Sequence, residues 1–239
     1  MGCAASKQKD GATDPRSVAR KATAANPLIL GYWDMRGAGR GNPTRFILNY
    51  AGVPYEEKTY VAGSGDWQAQ KDGLGMDFPN LPYIIDGDLK LSETVAIQMY
   101  IAQKYKPELL GANAAEAALV SRLVYLTQDI FLNAMKAIFP LDSPEWMAPV
   151  LHEKMLPLVK HLGQKSFLNG EQVCVADFVL FEMCELLYKL QGDDAWAHFP
   201  TLQPYHARIA ELPGMKEFYE SDRMVRAPFL PAKLAKVKI

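Results

Sequence analysis

Hydrophobic and polar positions along the chain follow two patterns, which meet near residues 110–113. In the first, apolar residues come in short blocks separated by Gly, Pro, Asn and Asp. Leu28-Ile29-Leu30-Gly31-Tyr32-Trp33 is one such block and predicts a buried strand. A loop carrying Gly37, Gly39 and Gly41 follows, and Pro43 suits the first turn of a helix over Arg45 to Ala51. Tyr55 to Val61 predicts a second strand, and the Gly-, Asp- and Asn-rich residues 62–80 predict a loop. Tyr83-Ile84-Ile85 and Lys90-Leu91 flank the turn Asp86-Gly87-Asp88, the signature of a hairpin. Ser92 or Thr94 then caps a helix from Val95 to about Tyr105. The order is βαβ-ββα.

Beyond Lys106-Pro107 the period changes to that of a helix, with Leu119, Leu123, Leu126 and Ile130 on one face. Further helical stretches run near 145–167, 177–190 and 201–210, divided by Pro and Gly, so this second part reads as all-helical. The expected organisation is an extension at 1–26, an α/β domain at 27–110, a helical domain at 113–226 and a tail at 227–239. The most apolar stretch, Val173 to Leu190, carries Asp177, Glu182, Glu185 and Lys189, so it is not read as a membrane span.

Composition narrows the chemistry. The 239 residues are 49% hydrophobic and 22% charged, ordinary values for a soluble globular protein. A net charge of −1 argues against general nucleic-acid binding, which draws on a basic excess. Cys3, Cys174 and Cys184 form no CxxC pair, and their odd number and wide spacing fit a reducing compartment. His152, His161, His198 and His206 make no HExxH pattern, and neither GxSxG nor GxxxxGK[ST] occurs. The glycines at 37, 39 and 41 are spaced GxGxG, not the GxGxxG of a dinucleotide fold.

Charge is unevenly spread. Residues 1–26 carry +3 and residues 227–239 carry +3, which leaves −7 between them. Two solvated tails would account for this, and so would attraction to an anionic membrane surface. Met1-Gly2-Cys3-Ala4-Ala5-Ser6 fits an N-myristoylation signal on Gly2, with Cys3 placed for palmitoylation and Lys7 and Lys9 close behind. Two such signals are needed for stable anchoring. Residues 7–26 have no apolar period and read as a disordered spacer, and no apolar core marks a secretory signal. The expected location is the cytoplasm, at a membrane if Gly2 and Cys3 are acylated and in the cytosol otherwise.

The motifs resemble a known family. Leu30-Gly31-Tyr32-Trp33-Asp34-Met35-Arg36-Gly37 closely resembles the opening of mu-class cytosolic glutathione transferases. Asp77-Phe78-Pro79-Asn80-Leu81-Pro82-Tyr83-Ile84-Ile85-Asp86-Gly87 resembles the mu-class loop and hairpin almost letter for letter, and Glu116-Ala117-Ala118-Leu119-Val120 looks like the first long helix of the pi class. The resemblance runs from about Leu28 to Arg226. It implies a thioredoxin-like domain followed by an all-helical domain, with glutathione as co-substrate and neither bound cofactor nor metal.

By that resemblance Tyr32 is the catalytic residue, its hydroxyl donating to the glutathione sulfur. A plain core tyrosine is the alternative. Trp33, Trp67, Lys71, Asn80, Leu81, the cis-proline Pro82, Glu93 and Thr94 match glutathione-binding positions, and Asp129 matches the aspartate that reaches the partner subunit's glutathione. Met35, Met135 and Phe139, with Met224 as a further candidate, would line the electrophile pocket, each with core packing as its alternative. Phe78 matches the phenylalanine that keys a homodimer.

The chain departs from the family pattern in three places. The loop after Tyr32 is two residues longer than usual, through Gly39-Arg40-Gly41-Asn42-Pro43-Thr44-Arg45, which leaves open what Arg36 and Arg40 do. Only six residues separate Tyr60 from Trp67, so the mu-type flap is shortened. Cys174 stands where Ser or Thr usually caps the helix before Val175-Ala176-Asp177. The activity implied is glutathione addition to apolar electrophiles. The other readings are a low-turnover glutathione or lipophile carrier, or scaffold, and a glutathione-dependent isomerase of a prostaglandin-type lipid.

Overall fold

The computed structural model of the chain describes residues 21–35, 39–138 and 147–224. The acylation motif at Gly2 and Cys3, together with Arg36 and Phe139, lies outside these residues.

The first part is a four-stranded mixed sheet in the order β2-β1-β3-β4, formed by β1 (Leu28–Trp33), β2 (Tyr55–Tyr60), β3 (Tyr83–Asp86) and β4 (Leu89–Ser92). Strands β1 and β2 run parallel, with Leu28 opposite Tyr55 and Tyr32 opposite Thr59, and α1 (Asn42–Tyr50) makes the crossover that a parallel pair requires. Strand β3 pairs antiparallel with both β1 and β4. Gly31 faces Tyr83 across the sheet, and a Cβ on Gly31 would lie 2.1 Å from the Tyr83 ring. The absent side chain is what lets the tyrosine cross β1. Helix α3 (Thr94–Tyr105) closes this part.

The segment expected as loop over 62–80 holds more structure than its composition suggested. Helix α2 (Asp66–Gln70) and a 3-10 turn (Lys71–Leu74) fold there around one buried residue, Trp67. Trp67 stacks on Tyr83 and meets Tyr60 edge-on. A single apolar anchor creates no period, so nothing in the local pattern announces the turn.

The second part is helical: α4 (Ala114–Ile138), α5 (Met147–Leu162), α6 (Val175–Gln191), α7 (Ala195–His198), α8 (Leu202–Ala210) and α9 (Met215–Glu220). Asn113 starts α4, its Oδ1 accepting the N–H groups of Ala115 and Glu116 at 3.0 Å each. Helix α6 is buried from Val175 to Leu187 and packs against α1, α4 and α8. A helix buried on every side belongs in the middle of a core. The short α9, not expected from the sequence, packs on α1 through buried Met215 and Phe218. Among the described residues no helix is long and apolar enough to cross a membrane.

Within the segment read as a spacer at 7–26, the Ala22 N–H donates to the Tyr105 hydroxyl at 3.0 Å. Asp86 accepts from Tyr100, Lys104 and that same Tyr105 hydroxyl, which fixes the anchor.

Candidate active site

Tyr32 lies one residue before the end of β1 and is 5% exposed. Residues 39–41 fold directly over its ring. A Cβ on Gly41 would come within 2.5 Å of Tyr32 Cδ1, and one on Gly39 within 2.8 Å of the hydroxyl. Gly39 also takes a φ of +100°, which only glycine adopts freely. Arg40, between them, donates its backbone N–H to the Tyr32 hydroxyl at 2.9 Å. Arg40 thus meets Tyr32 through its amide. Burial raises the Tyr32 hydroxyl above the ordinary tyrosine range, opposed by the Arg40 N–H and the Arg45 guanidinium, which stands 5.8 Å from the ring centroid.

Tyr32, Trp67 and Leu81 share one buried cluster with Tyr60 and Tyr83, and Trp33 and Met35 pack against it. The Leu81-Pro82 peptide is cis. The Leu81 N–H donates to Asn80 Oδ1 at 2.9 Å, and Asn80 Nδ2 donates to Glu93 Oε1 at 3.2 Å. A ligand that pairs with the Leu81 amide therefore displaces the Asn80 oxygen. Glu93 is exposed and takes a φ of +73°, a conformation in which a non-glycine residue is strained. Its carbonyl accepts the Ile97 N–H at 2.9 Å, and buried Thr94 opens α3 directly behind it. Lys71, half-buried, opens the 3-10 turn four residues after Trp67.

Other expected positions lie apart from this cluster. Asp129 is exposed on α4 and pairs with Lys154 of α5 at 2.9 Å. Met135 packs against the helical core, and Met224 is buried in it. Phe78 is 77% exposed. Its carbonyl accepts from Ser92, so the backbone of the loop is held while the ring is presented to solvent. A polar recess of about 390 Å³ runs along the edge strand β2, lined by Asp34, Tyr55, Glu57, Thr59 and Arg223, and contains none of the expected glutathione contacts.

A second layer of residues behind Tyr32 was not singled out by sequence reasoning for any role in the site. Arg45 is fully buried and grips Glu57 through two hydrogen bonds, at 3.0 and 2.7 Å. Its Nη1 donates to Asn42 Oδ1 at 2.7 Å. Asn42 Nδ2 donates to Glu182 Oε2 at 3.0 Å, and the Gly39 N–H donates to Glu182 Oε1 at 2.8 Å. Burial pushes the Glu182 carboxyl up to about 8, against the pull of Lys189 and of these two donors. The available signal was the run of acids inside the apolar stretch that forms α6, because a buried carboxylate requires partners.

A mixed sheet of this topology, backed by helices and followed by an all-helical part, is a thioredoxin-like domain joined to a helical one. The descriptions of two protein families match the chain: Glutathione S-transferase, N-terminal domain, over residues 29–103, and Glutathione S-transferase, C-terminal domain, over residues 141–222. Glutathione S-transferase Mu 1 of Oryctolagus cuniculus is 32% identical over 212 residues, covering 84% of this chain and 94% of that protein. A class-mu 26 kDa isozyme of Schistosoma japonicum is 34% identical over 204 residues, covering 84% and 91%. A solved pi-class glutathione S-transferase of Onchocerca volvulus superimposes with a TM-score of 0.71 at 22% identity, covering 81% of this chain and 92% of that one, a likeness of fold. The chain belongs to the glutathione S-transferase family, whose enzymes use glutathione as co-substrate and need no further cofactor.

Proposed function

We propose that this transferase makes its nucleophile at Tyr32 and adds glutathione to apolar electrophiles. A free thiol has a pKa of about 8.5, so only a few per cent is thiolate at neutral pH. A hydrogen bond donated to the sulfur favours the charged form. The observation that carries the reading is the Arg40 N–H donated to the Tyr32 hydroxyl. With its oxygen engaged as acceptor, the hydroxyl is free to aim its own proton at a sulfur beyond the end of β1. The thiol proton leaves to solvent, the sulfur lone pair forms the new C–S bond, and the displaced group departs with its electron pair.

The surrounding residues supply binding. Trp67 and Lys71 take the glycine end of glutathione, Asn80 and Leu81 the cysteinyl unit beside Pro82, and Glu93 and Thr94 the γ-glutamyl end. A helix start favours that carboxylate, and the Glu93 carboxylate favours the ammonium. Trp33 and Met35, which pack against the Tyr32 cluster, border the sulfur. In conjugation of glutathione to a chloronitrobenzene, Tyr32→Phe is expected to lose about a hundredfold in kcat/KM, the lower end of the scale for removing one donor to a developing anion. Equal rates for wild type and Tyr32→Phe would sink the mechanism.

We also propose a homodimer in which Phe78 inserts into the partner and Asp129 faces the partner's glutathione. The exposure of Phe78 on a loop pinned by Ser92 supports this, since an unburied aromatic is an anchor waiting for a pocket. Phe78→Ser is expected to weaken self-association by about tenfold or more in sedimentation. An unchanged dimer removes Phe78 from the interface. Acylation of Gly2 and Cys3, which would place the enzyme on a membrane, rests on the sequence motif and the adjacent lysines. Intact-mass analysis of the native protein decides it: an unmodified Gly2 ends that part of the proposal.

A further inference from the structure

The loop over Tyr32 is held from the other domain. Glu182, fully buried on α6, accepts the Gly39 N–H on one carboxyl oxygen and Asn42 Nδ2 on the other. Arg40 lies between those two attachment points, and its N–H is the one donated to the Tyr32 hydroxyl. The orientation of the Asn42 amide is not free. Its oxygen accepts from Arg45, itself fixed by Glu57, so its nitrogen must face Glu182. On the other side the loop lies close over Tyr32, where a Cβ on Gly39 would meet the hydroxyl and one on Gly41 the ring.

We infer that Glu182 is a positioning residue for the reaction: by gripping the loop at Gly39 and Asn42 it holds the Arg40 amide on the Tyr32 hydroxyl, and so helps set how acidic the bound glutathione thiol becomes. The inference rests on the Tyr32 mechanism proposed above. It gives α6 a part in the chemistry although Glu182 touches no substrate. If the grip is lost, the loop can lift, the hydroxyl rotor turns toward other partners, and the thiolate loses a well-aimed donor.

The test is the ionisation midpoint of bound glutathione, followed by the ultraviolet absorbance of the thiolate in the full-length enzyme. Unfolded molecules bind no glutathione. A purely structural role for Glu182 therefore lowers the amplitude of that titration and leaves its midpoint alone. Glu182→Gln keeps the size but sets an amide NH₂ against one of the two donors. It is expected to raise the midpoint by about one pH unit and to lower kcat/KM about tenfold below that midpoint. Glutathione affinity should stay within about twofold, because no predicted glutathione contact is removed.

Adding Asn42→Asp to Glu182→Gln reverses the polarity of the pair. The carboxylate introduced on α1 then accepts from both the new amide and Arg45, so the double variant is expected to recover most of the shift. Should Glu182→Gln fail to fold, Glu182→Asp retains the carboxyl group with a shorter reach and is read in the same way. A midpoint that moves in Tyr32→Phe but not in the folded Glu182 variant overturns the positioning role alone. A midpoint unmoved in Tyr32→Phe overturns the tyrosine mechanism, and this inference with it.

Discussion

At Gly31 a single missing side chain decides whether the sheet closes. Tyr83 crosses β1 where a Cβ would stand, stacks on Trp67 and shares a hydrogen bond of 2.9 Å with the Tyr60 hydroxyl. Gly31→Ala is expected to destabilise the protein by about 1–3 kcal/mol, the range for overpacking a filled core. Urea unfolding measures it, and a change below about 0.5 kcal/mol, the size of an ordinary surface substitution, would show that Tyr83 moves aside freely. At this scale the sequence was informative for residues that act near their neighbours in the chain. Tyr32, Trp67 and Leu81 were all placed by motif, and the structure brings all three into one cluster. Glu182 was not placed in the site, because its partner Gly39 is 143 positions away and no local pattern encodes such a meeting.

Among the elements, the start of α6 illustrates how one residue makes good another's weakness. Cysteine is a poor cap. Here Cys174 stands at the N-cap, and its sulfur faces the Asp177 N–H while Asp177 Oδ2 takes the Cys174 N–H at 2.7 Å. The other Asp177 oxygen accepts from the Leu168 N–H at 2.8 Å and from the Tyr205 hydroxyl at 2.7 Å. A fully buried acid thus joins the preceding turn, the helix start and α8. Asp177→Asn puts a donor where only acceptors fit and is expected to cost about 2–4 kcal/mol, read as a lowered urea midpoint. A loss under about 1 kcal/mol would mean that the cysteine suffices. The longer elements were legible from their periods, with β1 matching its expected bounds and α6 extending only slightly past them. Helix α2 and helix α9 were not, since each is short and owes its form to what it packs against, Tyr60 and Tyr83 in one case and α1 in the other.

For the whole molecule, two carboxyls on α6 pull stability in opposite directions as pH changes. Burial opposes the charge on Glu185, yet hydrogen bonds from His206 at 2.6 Å and Tyr219 at 2.8 Å, with Lys189 nearby, hold it below the ordinary carboxylate range. Its folded pKa is depressed, so its contribution is present above the ordinary value of 4.5 and is lost as pH falls through the lower, folded value. Glu182 is the reverse case. Burial raises its folded pKa from 4.5 to about 8, so between those values the folded state holds a proton that the unfolded state has released. Stability from this group therefore falls as pH rises across that window. The contribution of Glu182 to melting temperature should fall from pH 5 to 8, so the slope over that window should be more positive in Glu182→Gln than in the wild type, whereas Glu185→Gln should flatten the acid limb below pH 4.5. Equal slopes for wild type and Glu182→Gln would place the Glu182 proton elsewhere.

The grip of α6 on the loop over Tyr32 also bears on how members of this family could be recombined. Every residue proposed to recognise glutathione within one subunit lies in the sheet domain, so a hybrid that keeps this domain and takes its helices from a relative should still recognise the tripeptide. What it would inherit from the donor helices, beyond a new taste in electrophiles, is the strength of the nucleophile. A donor with an apolar residue in place of Glu182 would yield a chimera that holds glutathione well and ionises it poorly, and its selectivity and its reactivity would have changed together at one graft.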